Sequence, residues 1–457
     1  VIAPAAGSPR NRDASRDVAP DAWRVTTTYE AAVVLGLVLA TMGVVASRVD
    51  VVLLALPLLL SVAIGVDRRP RVGARGRLWI DVERRDSDSV SDSTRERSSA
   101  FEYRLGAEVP TGTELVQLRI TPQGAPTYEL IVAPTVVASV TGGVPVVHSG
   151  RQRVVEVTYR LVGVDGGWLR PPSKTVAVER VVDPALTAIA SLPLPQRLVG
   201  LTGTHASVRP GDGGEFRDLH PYASGDRLRR IDWKATARRS QGFGDLYVRR
   251  TDATSDATIV LVIDSRDDIS ERIEEWSAAS RGGVGMRSMD IAREAAASLA
   301  VAAIGAGDRV SLIDLAVHDG VVATGSGKRH LDRLLRRIAA SGPSGVRVSR
   351  RRAPVVPAGA IVYLLSAFLD DDATSIALLW RAAGHRVMAV DVLPAPLFDG
   401  CAPPTRIAHG LVMAERRRRL ADARANGVEL FRWQEDAANP SRAIALRTLA
   451  RAGQRRR

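Results

Sequence analysis

Asp264-Ser265-Arg266-Asp267-Asp268 is the stretch of this chain closest to a metal-ligand pattern. In α/β domains the motif Asp-x-Ser-x-Ser, placed at the carboxyl end of a strand, offers one carboxylate and two hydroxyls to a divalent ion. Asp264 keeps the first carboxylate, but Arg266 and Asp268 stand where the hydroxyls belong. A cation at a ligand position opposes a divalent ion, so the pattern is degenerate and Mg²⁺ is disfavoured. Asp370, Asp371 and Asp372 could supply substitute carboxylates, or could favour the N-terminus of a helix through its dipole.

Other candidate chemistry is thinner. The seven histidines form no HExxH or paired metal-ligand spacing. Cys401 becomes a nucleophile only if a histidine approaches it in space. Gly325-Ser326-Gly327-Lys328 is superficially similar to a phosphate loop, yet Val322 replaces the first glycine and Arg329 the Ser/Thr. No Gly-x-Ser-x-Gly elbow occurs. No catalytic constellation emerges, and the expectation is a protein without enzymatic activity.

The densest mixture of aromatic, acidic and basic residues lies in residues 214–234, running on through Ala235-Thr236-Ala237-Arg238. Its pattern, Gly-x-Glu-Phe-Arg-x-Leu-x-x-Tyr-x-x-Gly-Asp-x-x-Arg-x-Ile-Asp-Trp-Lys-x-x-Ala-Arg, resembles the signature of the membrane-associated bacterial family known as domain of unknown function 58. His220 stands where that signature has arginine. The resemblance implies a von Willebrand factor A-like domain after the motif and association with AAA+ ATPases of the MoxR type. Members of that family often read Ser-Asp after a later strand, where this chain has Ser366-Ala367.

Trp, Tyr and Arg dominate interface hot spots, so the signature reads as a docking face. The candidate partner-binding residues are Glu215, Phe216, Arg217, Tyr222, Gly225, Asp226, Arg229, Arg230, Ile231, Asp232, Trp233, Lys234 and Arg238. A structural role competes with this reading. Asp232 would cap a helix from Trp233 to Arg239, and Phe216, Leu219, Ile231 and Trp233 would pack beneath a sheet.

The elements that position these residues follow from hydropathy. The runs 31–46 and 51–66 are nearly uncharged and are separated by Ser47-Arg48-Val49-Asp50. With flanking residues each approaches the ~17–25 residues of a spanning helix, which predicts a transmembrane helical hairpin in the lipid bilayer. Arginines precede the first run and follow the second, which puts both ends in the cytoplasm. A signal peptide cleaved near Ala46 is disfavoured by the second apolar run.

From Leu78 onward, alternation predicts an all-β sandwich with strands near 78–82, 101–109, 114–121, 128–132, 136–140, 153–162 and 175–182. Residues 86–99, rich in Ser, Asp and Arg, read as a loop. Leu192-Pro193-Leu194-Pro195 reads as a semi-extended linker. Beyond it, apolar strands at 258–263, 309–315, 361–365, 386–392 and 428–431 alternate with amphipathic helices, the mark of a parallel sheet covered on both faces.

The expected division is therefore a basic cytoplasmic tail (1–30), a transmembrane hairpin (31–66), a β-sandwich (75–190), a linker and signature segment (191–257) and a C-terminal doubly wound α/β domain of von Willebrand factor A-like type (258–452). The formal charge is +13 across 457 residues, but it is spread along the chain. Aromatics make up only 4%, so nucleic acid is not an expected partner. A single cysteine excludes an internal disulfide framework. The favoured function is a membrane-anchored scaffold that docks a MoxR-type AAA+ ATPase and couples it to other membrane or envelope proteins. The alternative is an adhesion-like module that binds its ligand through a divalent ion at Asp264.

Overall fold

The computed structural model describes residues 23–67, 76–87, 98–195, 198, 203, 205–239, 245–276, 285–317, 320–343, 352–435 and 442–454. The chain forms two compact units, residues 1–147 with 152–180 and residues 148–151 with 181–457. The expected tail, residues 1–30, lies outside the described residues as far as position 22.

In the first unit, β1 (Arg24–Val25) leads into α1 (Thr27–Val45) and α2 (Val49–Asp67). Both helices are 19 residues long and apolar enough to cross a membrane. They pack on small residues, since Gly36, Gly43, Ala55 and Gly65 are their buried positions. A Cβ at Gly43 would come within 2.8 Å of the Val52 backbone nitrogen, so glycine is what lets the helices approach. Ser47 turns the chain between them with φ 54°.

The same unit contains an antiparallel β domain. Its strands are β2 (Arg77–Ser87), β3 (Ser98–Glu108), β4 (Thr113–Pro122), β5 (Tyr128–Val132), β6 (Thr141–Pro145), β7 (Gly150–Gly163), β8 (Trp168–Leu169) and β9 (Val176–Val182). One sheet has the order β1-β8-β7-β4-β5 with β9 also on β7, and the other has the order β2-β3-β6. The alternation read from sequence is real: Val116, Leu118 and Ile120 are fully buried while Arg119 between them is exposed.

Two expectations are corrected here. Residues 136–140 do not form a strand, because Pro134 fixes the start of a 3₁₀ helix, Pro134–Ser139, that turns Val137 into the core. Thr141–Pro145, which falls between the strands expected at 136–140 and 153–162, forms β6 and pairs with β3. Gly142 permits this, as a Cβ there would strike the Tyr103 ring. Most of the Ser/Asp/Arg-rich stretch read as a loop, residues 88–97, lies outside the described residues.

The hairpin is tied to the β domain at its base. The Thr26 N–H and hydroxyl donate to the carbonyls of Gly167 (3.0 Å) and Gly166 (2.9 Å). The Trp168 indole N–H donates to the Gly65 carbonyl at 3.0 Å, and Tyr29 lies beside the Trp168 ring.

The second unit begins with an extended strap. Leu192 packs on the core, the Tyr363 hydroxyl donates to the Pro193 carbonyl (3.1 Å), and Arg386 donates to the Leu194 carbonyl (2.6 Å). The expected linker is thus fastened to the unit it enters. A two-stranded sheet follows, β10 (His205–Pro221) and β11 (Tyr247–Ser255), with register shifts along β10 and with α3 (Trp233–Arg239) between the strands.

Then come β12 (Thr258–Ile263), α4 (Ser288–Gly305), β13 (Arg309–Asp314), β14 (Val321–Gly325), α5 (Lys328–Ala340), β15 (Ile361–Ser366), α6 (Asp371–Ala382), β16 (Arg386–Asp391), α7 (Pro403–Ala425), β17 (Glu429–Arg432) and α8 (Arg442–Gln454). The sheet order is β14-β13-β12-β15-β16-β17, parallel except for β14. Residues of α4, α5 and α8 join the core on one face and residues of α6 and α7 that on the other. The helices following β12 and β15 therefore leave toward opposite faces. The crevice between these neighbouring strands is a topological switch point.

A buried polar network fastens residues 148–151 to α4. Asp290 receives His148 Nδ1 at 2.7 Å and the Ser149 N–H at 2.8 Å, while Arg293 donates to the Ser149 and Ser341 carbonyls. Burial works to raise the Asp290 carboxyl, but His148, Ser149 and Arg293 together hold it below the ordinary carboxylate value of 3.8. This contribution to stability is present above the unfolded value and is lost as pH falls through the depressed folded value. Asp290→Ala should cost the second unit about 3 kcal/mol in denaturant unfolding at neutral pH. The deficit relative to wild type should shrink below pH ~4.

Candidate functional site

The crevice at the carboxyl ends of β12 and β15 gathers the acidic residues singled out in the sequence, with Arg266 at their centre. Its Nε and Nη2 donate to Asp264 Oδ1 (2.7 Å) and Oδ2 (2.9 Å), a bidentate pair within one turn of chain. Its Nη1 reaches Asp372 Oδ2 (2.8 Å) and Asp370 Oδ2 (3.0 Å). The Arg266 side chain is only 8% exposed. Burial by itself would lower the Arg266 pKa, but the hydrogen bonds and charges of Asp264 and Asp370 outweigh it and hold the guanidinium above its ordinary value. Asp370 is pushed up, first by burial, with the repulsion of Asp264 and Asp372 opposed by Arg266.

The remaining residues of the motif serve the frame. Ser265 donates to buried Asp314 at the end of β13. Asp268 accepts the Met289 N–H (3.2 Å) at the start of α4. Ser366 donates to Asp264 Oδ2 (2.7 Å) and accepts the Phe368 N–H (3.0 Å). Phe368 is buried with φ 52°, a left-handed conformation costly for a bulky residue. Its loop is held from α7, where Arg416 donates to the Ala367 carbonyl (2.8 Å) and to Asp391 (2.5 Å), and Arg419 pairs with Asp371 (2.6 Å).

A divalent ion does not fit these residues as they stand. Both oxygens of Asp264 are engaged by Arg266, Ser366 is turned onto the same carboxylate, and the cleft beside them holds 20 Å³, room for little more than one water. Sequence reasoning recognised Arg266 as hostile to metal, but could not see that it gathers carboxylates from two loops more than a hundred residues apart.

The signature occupies β10, α3 and the turns before β11. Tyr222 N donates to the Leu246 carbonyl (2.7 Å), and Gly225, φ 105°, supplies a turn in which Asp226 accepts the Ala223 N–H (3.0 Å). Arg229 and Arg230 lie on the 3₁₀ turn Leu228–Arg230. Ile231 bridges Val248. Asp232 caps α3, accepting the N–H groups of Lys234 (3.1 Å) and Ala235 (2.9 Å).

Capping is as expected for the structural role, whereas packing beneath a sheet is not. Phe216 is 53% and Trp233 68% exposed, and Arg249 stacks over the Phe216 ring at 5.4 Å. Arg217 lies 3.7 Å from Asp252. Lys234 and Arg238 are exposed on α3, and Glu215 lies within β10. Asp226 and Asp232 thus hold a turn and a helix start, while Phe216, Tyr222, Arg229, Trp233, Lys234 and Arg238 are exposed. The other candidates are not gathered here: Cys401 is buried just before α7, while Gly325 ends β14 and Gly327 precedes α5.

Arg266→Ala leaves its carboxylates without a counter-charge and should destabilise the second unit by about 3 kcal/mol. In thermal denaturation the variant should recover part of this loss in millimolar Mg²⁺, whereas the wild-type transition should be unchanged by Mg²⁺ or chelator.

Uncharacterized proteins of Mycobacterium tuberculosis and Mycobacterium bovis are each 30% identical over 227 residues, 46% of this chain and 66% of the relative. The chain thus spans just under two thirds of the length of the curated relatives it matches. No solved structure matches it. Residues 218–395, from the signature to the far side of the switch point, match the family described as Protein of unknown function DUF58, the family whose signature residues 214–238 resemble.

Proposed function

We propose that this protein is a non-enzymatic, membrane-anchored adaptor whose second unit, read as a von Willebrand factor A-like domain, docks a MoxR-type AAA+ ATPase through the signature face. The observation that carries the proposal is the exposure, within one signature segment, of Phe216, Arg229, Trp233, Lys234 and Arg238, with the start of α3 fixed by Asp232. Aromatic and arginine side chains held in place from below lose little entropy on binding, and so suit an interface. The ATPase as the occupant comes from the family resemblance.

The sheet order and the carboxyl-edge crevice support the von Willebrand factor A-like reading. Arg266, sitting among the carboxylates, favours docking without metal over the adhesion-like alternative. The two apolar helices support membrane anchoring, and the arginines flanking them favour cytoplasmic domains.

Affinity purification of the detergent-solubilised full chain should recover an AAA+ ATPase. Arg230→Glu and Trp233→Ala should lose it while the chain stays folded and membrane-inserted, and Trp233→Ala, at an exposed position, should shift stability by less than about 0.5 kcal/mol. Recovery undiminished in both variants would overturn the signature as the docking face. For topology, Val355→Cys introduces a thiol at a position 94% exposed, while native Cys401 is buried. An impermeant maleimide should label it only after the cells are opened.

A further inference from the structure

The basic run Arg416 to Arg419 is divided by the fold. Arg416 turns inward to Asp391, Arg419 pairs with Asp371, and Arg418 pairs along the helix with Glu415 and Asp422. Arg417 is exposed and takes part in no ion pair with a carboxylate among the described residues, and the same holds for Arg424 two turns on. Both line a cavity of about 640 Å³ together with Arg432 of β17. Its apolar wall comes from Leu420 of α7, Leu430 and Phe431 of β17, and Ala445 of α8. The one acidic lining residue, Asp391, is already neutralised by Arg416 at 2.5 Å.

We propose that this cavity is a binding groove for an extended acidic peptide segment of a partner protein. The groove runs beside β17, which ends the sheet order and so carries a strand edge. Its volume falls in the ~300–1,000 Å³ range of ligand sites. Arg417 and Arg424 are about 10 Å apart along the helix axis, a spacing that addresses charges on separate residues of one strand. The apolar wall gives the alternate side chains of such a strand a surface to cover, which a bare inorganic anion would leave unused. The groove is distinct from the signature face, and the proposal stands whether or not that face docks an ATPase.

The test is fluorescence anisotropy of the full chain in detergent with a labelled heptapeptide of alternating Glu and Val, against the same peptide with Gln for Glu. The Glu peptide should bind in a salt-sensitive manner and the Gln peptide about tenfold or more weakly. Arg417→Glu/Arg424→Glu should weaken binding by a similar factor, whereas Arg418→Glu, an equal charge change at a paired surface position, should not. Ala421→Trp, which fills the groove without altering charge, should also block the peptide. All four substituted sites are exposed, and an unchanged circular dichroism spectrum will mark a folded variant. No binding of the Glu peptide, equal loss in Arg418→Glu, or intact binding in Ala421→Trp would each overturn the proposal. Displacement of the peptide by inorganic phosphate at equal concentration would reduce the site to a simple anion site and overturn it as well.

Discussion

The second unit depends on a charge balance at the carboxyl end of its sheet. A doubly wound fold brings the loops after β12 and β15 together, and in this sequence both loops carry aspartates. Partly buried carboxylates repel one another and lose hydration, so the crevice needs a cation. Arg266 supplies it from within the motif, with a bidentate pair to Asp264 and further contacts to Asp370 and Asp372. A guanidinium has a fixed charge and a fixed fork of donors, which suits it to several carboxylates at once.

The surrounding loops are set by that pairing. Ser366 is drawn onto Asp264, Phe368 is accommodated in a left-handed conformation, and Arg416 and Arg419 reach from α7 to hold the same loop. The consequence extends outward, because two arginines of the basic run face the crevice while Arg417 faces the groove beside β17. One electrostatic requirement thus sorts a run of identical residues into structural and available members.

The signature follows a different logic. Its aspartates hold turns and a helix start, and its aromatics lie in water. A structural role for Asp232 leaves the exposed residues free for other contacts, since it fixes the helix start from which Trp233 projects. In the first unit the same economy joins the apolar hairpin to the β domain, where the Thr26 and Trp168 contacts satisfy polar groups at the helix ends.

Much of the architecture was legible in the chain. Two uncharged runs of spanning length, alternation through 113–122 and 150–163, and apolar strands separated by amphipathic helices are local patterns, and local periodicity is what burial on one or two faces imposes. The apolar run 136–140 was misread because a short apolar segment has no period of its own, and Pro134 decided it. The strand β6 was hidden by its two glycines, one of which, Gly142, leaves room for the Tyr103 ring across the sheet. The sequence by itself determined that Asp264 begins a degenerate motif and that residues 214–238 are a signature. Only the tertiary structure decided that Arg266 would gather carboxylates from a loop about a hundred residues away, that Trp233 would face solvent, and that Arg417 and Arg424 would share a groove. Those outcomes depend on which loops the sheet order makes neighbours, and contact between distant segments leaves no trace in local spacing.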